Sequence, residues 1–145
     1  MKKKLAALII GLTILIMLGG IQATFLYGAE ILITKPGFSF SITHNDLPII
    51  SNEEPTNGST GIPTTPTLNI TVNDANGDTM TISWYSNSTG SWQPFGVNSS
   101  VVNATYYQKN NNFSSTNTKY WWNVSVNDGK EVKTSGIYHF TTRVS

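Results

Sequence analysis

The sequence predicts an all-β fold, an antiparallel sandwich of about seven short strands preceded by an N-terminal hydrophobic helix. Three observations carry this. Period-two alternation is clearest near the C-terminus, where Tyr120, Trp122, Val124 and Val126 share one face and Trp121, Asn123, Ser125 and Asn127 the other. Clusters of Gly, Pro, Asn and Asp recur at close spacing from Asn45 to Gly136, each a turn signal. No helical periodicity follows the first 28 residues.

The elements are justified in order. Lys2, Lys3 and Lys4 precede an apolar run over residues 5–18, the pattern of a secretory signal, with Ile21-Gln22-Ala23 as its cleavage site. Extended through Phe25 and Leu26, the same run is long enough to span a bilayer as a signal-anchor, its lysines cytoplasmic. Residues 1–28 are therefore expected to be a signal peptide or signal-anchor. On either reading the rest of the chain is extracellular or at the cell surface, secreted or N-terminally anchored.

Residues 29–50 read as a tether with one edge strand, because Phe38, Phe40 and Ile42 alternate with Ser39 and Ser41. Residues 51–145 form the sandwich. Its first strand, over residues 53–63, is irregular because Pro55 and Pro63 cannot donate to a ladder. Two clear strands follow, with Leu68, Ile70 and Val72 inward on one and Met80, Ile82 and Trp84 inward on the other. Between them Asn76-Gly77 predicts a tight hairpin. Short strands over 92–97 and 101–107 lead to a polar loop over 109–118, anchored by Phe113. The last two strands flank Asp128-Gly129.

Composition excludes several functions. Three of the nine basic residues are Lys2 to Lys4; from Glu30 onward, six basic residues face eight acidic ones, so no basic nucleic-acid footprint exists. Cysteine is absent, which removes disulfides, thiol nucleophiles and thiolate metal sites. The two histidines, His44 and His139, are far apart in sequence, and no nucleophile motif, phosphate loop or carboxylate pair accompanies them. The chain is expected not to be an enzyme and to need no cofactor beyond weakly bound calcium.

Tyr120-Trp121-Trp122-Asn123-Val124, then Asp128-Gly129, then Tyr138-His139-Phe140-Thr141-Thr142 resembles the last two strands of fibronectin type III-like modules of prokaryotic surface proteins and secreted enzymes. Thr118 and Phe113 fit the same pattern, although Phe113 stands one residue further away than the usual loop leucine and the usual loop proline is missing. The resemblance covers residues 51–143; its earlier part is shared with other immunoglobulin-like repeats. It implies a non-catalytic structural or adhesion module, and fold alone does not name its partner.

Three groups of candidate residues follow. Asp74, Asn76 and Asp78 have the i, i+2, i+4 oxygen spacing of a calcium loop, yet Thr79 and Tyr85 stand where an EF-hand needs Gly and Glu. The resemblance implies that Asp128 lies at the same pole, giving four oxygen side chains for calcium; the competing reading is an Asx-type turn. Asn57, Asn69, Asn87, Asn98, Asn103, Asn112 and Asn123 are glycosylation sequons, with Asn87 and Asn98 expected to be loop sites modified first. Tyr85, Trp121 and His139 alternate with inward residues, and the resemblance places their strands side by side. They then form an outward aromatic platform for a sugar or a partner protein, or a set of cross-strand pairs that only stabilises the sheet. The expected role is a non-catalytic extracellular structural or adhesion module with a cell-surface protein or polysaccharide as partner, anchored to the membrane if its N-terminal segment is retained. The alternative is a carbohydrate-binding module.

Overall fold

The computed structural model describes residues 7–10, 13–18, 21–26, 29–35 and 38–144, with side chains from His44 onward. The chain divides into two units, Met1–Asn45 and Asp46–Ser145, each taken by itself.

In the first unit, β1 (Ala7–Ile10), β2 (Thr13–Leu18) and β3 (Ile21–Leu26) pair antiparallel in that order. Strands thus stand where a hydrophobic helix is expected. The run is dense in Ile9, Ile10, Thr13, Ile14 and Ile16, whose branched β-carbons favour extended backbone. Among the described residues no helix is long and apolar enough to cross a membrane. Lys2, Lys3 and Lys4 lie outside the described residues. The expected edge strand is β5 (Phe38–His44), but it has a partner in the supposed tether: β4 (Ala29–Lys35) pairs with it antiparallel, Ile31 opposite Ile42.

The second unit holds β6 (Ile49–Glu54), β7 (Ser59–Ile62), β8 (Thr67–Asn73), β9 (Met80–Ser86), β10 (Gln93–Val101), β11 (Ala104–Lys109), β12 (Lys119–Asn127), β13 (Val132–Thr134) and β14 (Tyr138–Thr142). They form two sheets. The smaller runs β11-β8-β6; the larger runs β10-β9-β12-β14-β7, with β13 also on β12. The chain changes sheet between β6 and β7, β7 and β8, β8 and β9, β10 and β11, and β11 and β12, an immunoglobulin-like sandwich plan.

Nine strands among the described residues of this unit exceed the seven expected, for two reasons. The irregular first strand splits at buried Pro55, where the ladder loses its donor. Before it, β6 pairs antiparallel with β8; after it, β7 pairs parallel with β14 in the other sheet. The last strand is likewise interrupted at Ser135-Gly136, leaving β13 and β14 on successive stretches of β12. A further correction concerns Asn76-Gly77. It joins β8 to β9, which belong to different sheets, so it is an inter-sheet connection and not a hairpin. Its positive-φ glycine (Gly77, φ 74°) is right for either use. Asp128-Gly129 does lie between paired strands, β12 and β13. The strand expected over 92–97 continues to Val101 as β10, an edge strand that tolerates Pro94 through a register shift beside it.

The alternation read from sequence gives the core. Leu68, Ile70, Val72, Met80, Ile82, Trp84, Trp122, Val124 and Val126 are all buried between the sheets. Trp84 and Trp122 stack with centroids 5.9 Å apart and planes 15° from parallel. Phe113 comes in from the β11–β12 loop with no exposed surface and packs on Tyr120 and Phe140, at 5.0 and 5.2 Å. The Tyr120 hydroxyl accepts the backbone N–H of Ser115 (3.1 Å), pinning that loop to the start of β12. This is the tyrosine corner of immunoglobulin-like sandwiches.

Trp122 is fully buried, whereas Trp121 is half-buried on the outer face. Trp122→Ala is expected to cost about 3–5 kcal/mol in urea unfolding, as other large-to-small core changes do. Trp121→Ala should cost far less; equal costs would mean a register displaced by one residue.

Candidate functional site

The loop leaving β8 and the turn leaving β12 meet at one pole of the sandwich. Asp74 and Asp128 are buried, Asp78 is partly exposed, and each offers a carboxylate oxygen within 4.8 Å of the others. Local turn chemistry sets each loop. Asp74 Oδ1 accepts the N–H of Asp78 (3.0 Å) across its loop, while Asp128 Oδ1 accepts the N–H groups of Lys130 (2.8 Å) and Glu131 (2.6 Å), closing an Asx-type turn. These hydrogen bonds occupy one oxygen of each of the two buried carboxylates. The geometry also leaves something over. Asp74 Oδ2 is buried and has no hydrogen-bond partner.

Three of the four expected oxygen residues come together. Asn76 does not join them: it is exposed, and its Oδ1 accepts the backbone N–H of Asp46 (2.7 Å). Two residues that sequence reasoning missed complete the pole. Asn103 clamps Asp74 through its backbone, accepting its N–H at 2.7 Å and donating to its carbonyl at 2.9 Å. Lys130 places its ammonium on Asp78, at 3.0 and 3.3 Å from the two carboxylate oxygens. That hydrogen bond, aided by the charges of Asp78, Asp128 and Asp74, holds Lys130 above the ordinary lysine range against a smaller desolvation effect. Asn103 was legible only as a sequon, and Lys130 only as the residue after an Asp-Gly turn.

On the outer face of the larger sheet, Tyr85 stands opposite Asn123 and Trp121 opposite His139. All four are half-buried. Trp121 carries the Lys119 ammonium 5.5 Å from its ring centroid, and its backbone N–H donates to Asn87 Oδ1 (3.0 Å). The chain entering β7 runs beside His139, whose N–H donates to Asn57 Oδ1 (3.0 Å) and whose carbonyl accepts the Gly58 N–H (2.7 Å). The platform residues thus share a face, with the histidine side nearest β7.

The sequons fall in unlike settings. Asn112 is exposed in the loop after β11, and Asn57 in the segment between β6 and β7. Asn69 and Asn123 are half-buried within β8 and β12. Asn98 is a correction: it lies inside β10, half-buried, and accepts the Trp84 indole N–H at 2.8 Å. Asn87 does lie outside a strand, directly after β9.

Comparison with solved structures finds likeness at low sequence identity. The PKD domain of an M14-like peptidase from a Thermoplasmatales archaeon is 16% identical, with a TM-score of 0.43, over 69% of this chain and 99% of that one. No family model and no curated protein matches the chain.

The Lys130 pKa is raised in the fold, so its ion pair stabilises fully below the unfolded value of 10.5 and loses that effect as pH rises through the folded value. Burial also raises Tyr138, which acts in the same direction but is common to wild type and a Lys130 variant. The melting-temperature difference between wild type and Lys130→Met is expected to hold below the unfolded value of 10.5 and to shrink as pH rises above it. A difference independent of pH would show that Lys130 acts through packing of its stem.

Proposed function

We propose that residues 51–145 form a non-catalytic extracellular module, fibronectin type III-like in plan, that serves as a structural or adhesion element at the cell surface. The observation that carries this reading is the outer face of the larger sheet. Tyr85 and Trp121 stay half-exposed there, while Trp84, Trp122, Phe113 and Phe140 are used up in the core. A flat aromatic left half-wet offers stacking area to a partner without ordering cost. The cationic start and apolar run support export, with residues 1–28 removed as a signal or kept as an anchor and residues 29–50 as the tether. The near-neutral charge from Glu30 onward favours a cell-surface protein or polysaccharide over nucleic acid.

A carbohydrate partner is the second reading. Lys119 beside Trp121, with Asn123 next to Tyr85, sets polar groups around a stacking ring, which is the arrangement a sugar needs for both its faces and its hydroxyls. Glycan arrays and polysaccharide pull-downs with wild type, Trp121→Ala and Tyr85→Ala test the face. The expected loss for Trp121→Ala is about tenfold or more with the melting temperature nearly unchanged. Binding that survives both substitutions would remove the platform from the function.

The seven sequons support a glycoprotein when the chain is exported by an N-glycosylating host. Asn112 is the site expected to be occupied first, since it is exposed and in a loop. Asn112→Gln should lower the mass by one glycan and leave stability unchanged. Asn103→Ala should instead cost about 1–3 kcal/mol, because it strips the Asp74 N–H and carbonyl of their partner.

A further inference from the structure

Three carboxylates at one pole are not by themselves a binding site. The second observation is Asp74 Oδ2, on a residue only 1% exposed, left without a hydrogen-bond partner beside the oxygens of Asp78 and Asp128. A buried carboxylate oxygen with nothing to accept from is costly, and native structures retain one where a ligand satisfies it. The backbone clamp of Asn103 keeps Asp74 in that position. The oxygens lie within 4.8 Å of one another, a span that a single Ca²⁺ bridges with bonds of about 2.3–2.6 Å. Mg²⁺, with strict octahedral demands and a tightly held water shell, is seldom bound by protein oxygens alone. Hard oxygen donors with no nitrogen or sulfur among them point the same way.

Lys130 is the third element. Its ammonium sits on Asp78, the most accessible of the three acids, and its side chain is 53% exposed. More than half exposed, it can swing into solvent. We propose that the Asp74–Asp78–Asp128 pole is a calcium site whose metal-free form is closed by the Lys130 ammonium, which leaves Asp78 when the ion binds. The lysine neutralises one of three negative charges in the absence of metal, so the loops do not spring apart. The ion and the lysine compete for the same carboxylate. Three protein carboxylates fall short of a full calcium shell, leaving water or backbone oxygens to complete it, and the affinity is set in the range of extracellular modules, on the order of 10⁻⁴ to 10⁻³ M. This site is independent of the aromatic face and stands or falls apart from it.

The test uses the full chain, with thermal unfolding and calorimetric titration in CaCl₂, MgCl₂, EDTA and ionic-strength-matched NaCl. Calcium at a hundredfold excess over its dissociation constant should shift the folding equilibrium about a hundredfold, raising the melting temperature by about 10–20 °C. Mg²⁺ should do much less. Asp74→Asn keeps the Oδ1 acceptor for Asp78 and should abolish the calcium shift; Asp78→Asn, at a more exposed position, should weaken it if Asp74→Asn fails to fold. Lys130→Gln should bind calcium about 2–5-fold more tightly, the effect of removing one exposed competing ion pair. A shift equalled by NaCl, a shift that survives both Asp variants, or no shift in either wild type or Lys130→Gln would overturn the site. Unchanged or weaker calcium binding in Lys130→Gln would overturn the role of the lysine.

Discussion

The stack of Trp84 on Trp122 is the contact on which the sandwich depends. Rings continue from it in both directions: Tyr138 lies 4.9 Å from Trp122, Phe95 lies 6.4 Å from Trp84, and Phe95 leads on to Phe113 at 5.9 Å. The chain has no cysteine to cross-link its sheets, so burial alone holds them together, this aromatic row on the larger sheet sharing one core with Leu68, Ile70 and Val72 of the smaller. Register follows from the same constraint. A slip of one residue on β12 would bury Asn123 and Ser125 and expose Trp122 and Val124, a cost no turn could offset. Once that register is fixed, the outward row of Tyr85, Trp121 and His139 is fixed with it.

What the sequence makes legible is what period-two alternation encodes. On β8, β9 and β12 the inward residues can be read directly, because a sheet with one dry face must separate apolar from polar positions. Pairing partners are encoded less locally. Asn76-Gly77 has the chemistry of a hairpin turn, yet the strands it joins part into different sheets, and nothing within those few residues distinguishes the two cases. Pro55 signals a break in the first strand but not that the two halves change sheets. The N-terminal run shows another limit: uniformly apolar sequence has no period, so helix and strand are separated only by propensity, and its isoleucines lean toward strand.

The pole divides in the same way. Asp74 and Asp78 are neighbours in sequence, and the resemblance brings Asp128 to them, so the acidic trio was within reach of sequence reasoning. Asn103 and Lys130 were not. Their partners stand 29 and 52 residues away, and each reaches its target only once distant strands have paired, β11 with β8 and β12 with β9. Residues that hold a site in place are commonly supplied by the fold in this manner, whereas the acids that define it are supplied by a loop.

The division of the first strand has a mechanical consequence. Parallel pairing of β7 with β14 sets the start of one strand and the end of the other at opposite ends of their ladder. Tension between those points would slide the strands along each other, loading together the bonds from Gly58 to His139, from His139 to Asn57 and from Arg143 to Ile62. An antiparallel pair pulled from one shared end opens like a zip, one bond at a time. A sandwich fastened along β7 and β14 is therefore built to bear a pulling force in shear.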